Sequence, residues 1–103
     1  MKWALLSDIH ANLQALDACM AHARSHGAQR FALLGDLVGY GADPGAVVDR
    51  AMALAEQGAL LVKGNHDDMA VSPPESNRTV GDSSAAWTHE QLSAAQRRFL
   101  QEL

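Results

Sequence analysis

The chain has 103 residues, 48% of them hydrophobic and 19% charged, which makes one small domain over residues 1–103 and excludes a disordered segment. Eight Lys and Arg against twelve Asp and Glu give a formal net charge of −4, which excludes the basic footprint of a duplex nucleic-acid binder. No apolar run approaches the roughly 20 residues that cross a bilayer, Trp3-Ala4-Leu5-Leu6 is too short for a secretory leader, and one cysteine forms no internal disulfide, so a cytoplasmic protein with no membrane partner is expected.

The run Trp3-Ala4-Leu5-Leu6 predicts a buried strand ended by Ser7-Asp8. Asn12 then reads as an N-cap, with Leu13, Leu16, Met20 and Ala23 on one helical face and Gly27 as the stop. His22 and His26 fall off that stripe and are expected in solvent, while Cys19 beside Met20 is expected to pack as a small hydrophobe. A second strand is predicted over Arg30-Phe31-Ala32-Leu33-Leu34. Asp43-Pro44 offers a cap and a first-turn proline to a second helix, whose stripe is Val47, Val48, Ala51, Leu54 and Ala55 and whose end is Gly58. Ala59-Leu60-Leu61-Val62 predicts the third strand. Strand and helix alternating in this way predict a parallel βαβαβ unit with right-handed crossovers. Continuous rather than alternating apolar strands predict a sheet covered on both faces. Beyond it, Ser72 to Asn77 reads as a loop, Asp82 to Trp87 as helical, and Ser93-Ala94-Ala95-Gln96 as a capping box opening a last helix; His89 is expected at the surface.

In a parallel sheet, ligands gather beyond the carboxyl ends of the strands. Here those ends carry Ser7-Asp8-Ile9-His10, Gly35-Asp36-Leu37-Val38-Gly39-Tyr40-Gly41 and Lys63-Gly64-Asn65-His66-Asp67-Asp68. Oxygen and nitrogen donors without thiolate suit manganese, iron(II), zinc, nickel or magnesium. Asp8 and His10, two apart in an extended segment, would point the same way toward one ion. Each residue alone has an ordinary reading as a cap or turn former; one such group after every strand favours a metal site. Tyr40 and Asp43 either contact substrate or shape their turn, and Lys63 either meets a phosphate or stays solvated.

Asp8-x-His10, Gly35-Asp36-x-x-x-x-Gly41 and Gly64-Asn65-His66-Asp67 resemble the successive signatures of calcineurin-like metallophosphoesterases, and the wording over residues 3 to about 70 is similar to the small bacterial branch related to phosphodiesterases and diadenosine tetraphosphatases. The resemblance implies that Asp8 and His10 hold a first divalent metal, Asp36 bridges two, Asn65 binds the second, and His66 acts as general acid or stabilises the transition state, with Asp67 orienting it. It implies hydrolysis of a phosphate ester, a small molecule or nucleotide, by water activated between two divalent cations. It also implies an α/β fold, an α/β/β/α sandwich of which this sequence covers the parallel βαβαβ half, with the second sheet missing and the later Gly-His segments absent. The second metal site is therefore expected to be incomplete, and the uncovered sheet face to favour a homodimer. Two other readings are a catalytically incomplete, self-associating scaffold and a dinucleotide-binding module built on Gly39-x-Gly41-x-x-x-Gly45, one residue off the usual fingerprint.

Overall fold

The apolar runs pair side by side in the computed structural model, which describes residues 1–103. Strands β1 (Trp3–Leu6), β2 (Arg30–Leu33) and β3 (Leu60–Leu61) form one parallel sheet in the order β1-β2-β3. Trp3 pairs with Arg30 and Leu6 with Leu33; Ala32 pairs with Leu60 and Leu33 with Leu61. Helix α1 (Leu13–Ser25) fills the first crossover and α2 (Pro44–Glu56) the second. The Asn12 side chain caps α1 by accepting from the Ala15 amide at 3.0 Å. Asp43 takes the N-cap place of α2 but makes no side-chain cap bond; Pro44, with its fixed φ, opens that helix instead.

The order in which strands are added decides which side the helices occupy. Successive right-handed crossovers moving in one direction leave both helices on the same face. Ala4, Leu6, Phe31, Leu33 and Leu61 accordingly pack into one core with Leu16 and Met20 of α1 and Val47, Val48, Ala51 and Leu54 of α2. Side chains alternate across a strand, so the intervening residues face the other way. Trp3, Leu5, Leu34, Leu60 and Val62 are all exposed, Leu5 at 65% and Leu60 at 61%. The sheet is thus covered on one face rather than both.

Three more helices follow: α3 (Asn65–Val71), α4 (Val80–Gln91) and α5 (Ala94–Gln101). Helix α3 packs against α4 and α5, which both lean on α2. The box predicted at Ser93 is formed, Ser93 Oγ accepting from the Gln96 amide at 3.1 Å and Gln96 Oε1 from the Ser93 amide at 2.9 Å. His89 is half-buried rather than a surface residue. Its Nδ1 donates to the Ala70 carbonyl at 2.7 Å and its Nε2 accepts from Arg97 at 2.8 Å, tying α4 to α3 and α5. Cys19 is exposed rather than packed, and the His22 and His26 rings stack in solvent 4.3 Å apart. Lys63 is tied down, donating to the Gln101 carbonyl at 2.8 Å. No helix is long and apolar enough to cross a membrane.

Candidate metal centre

The segments leaving β1 and β2 stay in step beyond the sheet. Asp8 N donates to Gly35 O at 3.2 Å, His10 N to Asp36 O at 2.9 Å and Ala11 N to Leu37 O at 2.7 Å. This ladder brings Asp8 and His10 beside Asp36. The backbone that does so is not the extended segment the spacing suggested: Asp8, His10 and Ala11 have φ of 55°, 48° and 56°, and Asp36 has 54°. These are left-handed conformations that cost a residue with a Cβ of the order of 1 kcal/mol each. The two side chains still converge, by a strained turn rather than by a pleat.

One ligand atom each of Asp8, His10 and Asp36 lies within 4.8 Å of the other two. His10 Nε2 is 3.5 Å from Asp8 Oδ1 and 4.0 Å from Asp36 Oδ2. His10 Nδ1 sits 3.1 Å from the Val38 carbonyl, which can only accept, so Nδ1 carries a proton and Nε2 is the ring nitrogen turned to the two carboxylates. The two carboxylates facing one another repel unless positive charge lies between them. The donor set therefore fits a divalent ion, and the Val38 carbonyl supplies the orienting bond that ligating histidines usually make.

The start of α3 closes the far side. Gly64 is in contact with Asp36, and a Cβ there would overlap the Asp36 carboxylate, so only glycine lets the helix approach. The His66 amide then donates to Asp36 Oδ1 at 3.0 Å, leaving Oδ2 toward His10. The His66 ring lies 5.3 Å from the His10 ring and 4.8 Å from that of Tyr40. Asn65 begins α3 with its side chain exposed, two residues from the buried Asp67 and one from Gly64.

Asp67 does not meet the role the resemblance gave it. Its carboxylate is fully buried and accepts from the Val38 amide at 3.1 Å and the Gly64 amide at 3.0 Å, joining the loop after β2 to the start of α3. Burial pushes its pKa up from the ordinary aspartate value, against the opposing pull of those amide bonds. It holds the backbone that carries His66, not the imidazole. Tyr40, left open by sequence alone, also has a left-handed backbone, φ 66°, and sits among the site rings. Its signal was the flanking pair of glycines. Gly41 lies against the His10 carbonyl and Gly39 against the His66 ring, so these glycines serve close protein contacts and leave no cradle for a dinucleotide pyrophosphate.

A cleft of about 500 Å³ opens beside the triad, bounded by Asp8 and His10 at one end and by Asn12, Gln14, Tyr40 and Asp43 further out. The chain has relatives of the same fold. A metallophosphoesterase from Sphaerobacter thermophilus superposes with a TM-score of 0.82 at 32% identity, over 100% of this chain and 41% of that one. A hypothetical protein of Pyrococcus horikoshii shares the fold, with a TM-score of 0.77 at 20% identity over 97% of this chain and 46% of its own. An uncharacterized protein of Methanocaldococcus jannaschii is 32% identical over 102 residues, which is 97% of this chain and 41% of that protein. The chain thus spans under half the length of these relatives. The profile of the calcineurin-like phosphoesterase superfamily domain matches residues 1–102, and the chain belongs to that superfamily.

Proposed function

We propose that Asp8, His10 and Asp36 hold the first divalent cation of a phosphoesterase centre that hydrolyses phosphate monoesters or diesters, nucleotides among them. The observation that carries this reading is the convergence of three potential ligand atoms within 4.8 Å, with His10 held by the Val38 carbonyl so that Nε2 faces the two carboxylates. Manganese, iron(II), zinc, nickel and magnesium all suit two carboxylates and an imidazole. The chemistry such an ion supplies when bound is polarisation of the phosphoryl group and activation of a water. Asp36 is kept in place by the His66 amide, so one oxygen is committed to the protein and the other is free to ligate. Asp36 and Asn65 are the groups of this chain that would reach a second ion. His66, beside His10 and Tyr40, is the group to protonate or hydrogen-bond the departing ester oxygen. A single unpaired cysteine suits a reducing cytoplasm.

Calorimetric titration with Mn²⁺, alongside hydrolysis of bis-p-nitrophenyl phosphate and p-nitrophenyl phosphate, tests the reading. The chain should take up Mn²⁺, and Asp36→Asn should weaken uptake at least about tenfold. His66→Ala should leave uptake intact and lower hydrolysis. A folded chain that takes up no divalent ion would overturn the proposal.

A second reading is favoured by the bare sheet face. Trp3, Leu5, Leu34, Leu60 and Val62 form an apolar patch of the kind that drives association, so the chain would be a scaffold paired with a second copy. Sedimentation decides it: a dimer dispersed by Leu5→Lys supports pairing through this face, and a monomeric wild type removes it.

A further inference from the structure

Five residues other than glycine adopt a left-handed backbone in this chain: Asp8, His10, Ala11, Asp36 and Tyr40. Four of them belong to the ladder that builds the metal triad. Tyr40 is the fifth and does not ligate. Glycine or asparagine would take its conformation more cheaply, and a tyrosine there leaves its side chain half in water, 55% exposed. Backbone strain at an exposed side chain beside a candidate site is a mark of a functional position.

The surroundings fix the ring. The Tyr40 amide donates to Ser84 Oγ at 2.6 Å, anchoring the loop to α4, and the hydroxyl lies over Gly81, which has no side chain to displace it. The ring centroid lies 5.3 Å from that of His10, the planes at 71°, and 4.8 Å from that of His66, the planes at 53°. Tyr40 also borders the cleft of about 500 Å³ that begins at Asp8 and His10. The cleft is an open depression, so a ligand there would keep one side in water. An ester group extending into this cleft from a phosphate held at the triad would pass Tyr40, which with His10 makes up its aromatic lining.

Resting on the metal-site reading above, we propose that Tyr40 is a specificity-determining residue whose ring is a stacking shelf for a planar aromatic ester group, an aryl or nucleobase moiety, on the substrate. Stacking of this kind distinguishes an aromatic from an aliphatic ester by about five- to tenfold in affinity.

Phenyl phosphate and methyl phosphate are the probes, titrated into the full chain loaded with Mg²⁺ and followed by calorimetry and by the proton resonances of Tyr40, the only tyrosine in the sequence. Phenyl phosphate should bind about five- to tenfold more tightly and shift the Tyr40 ring signals. Tyr40→Phe should keep that ratio. Tyr40→Gly, which suits the left-handed backbone, should reduce the ratio of the two affinities to about one. Equal affinities in the wild type, unmoved ring signals, or a ratio that survives Tyr40→Gly overturns the shelf while the metal reading stands. A ratio that depends on Tyr40 but persists without Mg²⁺ and in Asp36→Asn overturns the metal reading while the shelf stands. Failure of the loaded chain to bind either ester overturns both.

Discussion

The two ends of the sheet solve the same problem differently. At the amino end, the turns into β2 and β3 need a positive φ, and glycine supplies it: Gly27 at 86° and Gly58 at 95°. Those turns lie among exposed residues such as His26, Gln29 and Arg30 and carry little strain. At the carboxyl end, Asp8, His10, Ala11, Asp36 and Tyr40 take left-handed backbones with side chains attached. A run of cross-loop amide bonds and the buried Asp67 hold them there. Where a turn only has to reverse the chain, the cheapest residue occupies it. Where a side chain must be aimed, the strain is accepted and the surrounding bonds offset it.

The largest contrast should come from adding one methyl group at each end. Gly41→Ala would drive a Cβ into the His10 carbonyl, whereas the same change at Gly27 meets nothing within 4 Å. We expect Gly41→Ala to cost about 3 kcal/mol or more, through backbone overlap, and Gly27→Ala about 1 kcal/mol, through its left-handed φ alone. Urea unfolding of both variants measures the difference; equal losses would mean the two ends are not built differently.

Next in size is the clamp beneath the strained end. Asp67→Ala strands the Val38 and Gly64 amides and should cost about 2–3 kcal/mol. Its pH dependence has a definite sign. Folding raises the Asp67 pKa, so the native state holds that proton more tightly than the unfolded chain does. The contribution is complete below the unfolded value and is lost as pH rises through the higher native one. In metal-free buffer, the stability gap between wild type and Asp67→Asn should therefore narrow as pH is raised from acid toward neutrality. A gap that widens with pH contradicts the assignment.

Relieving the strain should separate stability from function. Asp8 is the most exposed of the triad, with 67% of its side chain in solvent, and sits at φ 55° beside a second carboxylate. Asp8→Gly should raise metal-free stability by about 1 kcal/mol and at the same time weaken Mn²⁺ uptake. Thermal melts with and without Mn²⁺ show both effects, and a destabilised Asp8→Gly would show that this residue is structural.

The smallest effect lies away from both ends. The Thr88 hydroxyl is fully buried in α4 without a hydrogen-bond partner. Thr88→Val removes that unpaired group at nearly constant volume and should be neutral to about 1 kcal/mol stabilising. A clear loss of stability would reveal a partner for the hydroxyl.

Much of this was legible from residue order. The three apolar runs, the Asn12 cap, Pro44 and the Ser93–Gln96 box are local signals, and each marks the element it should. Residue order does not reveal helix α3, because Gly64-Asn65-His66-Asp67 looks like a ligand-bearing loop. It is helical because Asp67 folds back onto the Gly64 amide, a bond that also depends on the distant Val38.

The sequence by itself determined the alternation of strand and helix and the placing of an acid, an amide or a histidine after every strand, since periodicity and turn chemistry act over a few residues. Only the tertiary structure decided that both crossover helices share one face, that Leu5 and Leu60 stay bare, and that Asp8, His10 and Asp36 meet through left-handed turns. Those outcomes depend on strand order and on bonds between residues nearly thirty positions apart, which no local pattern encodes.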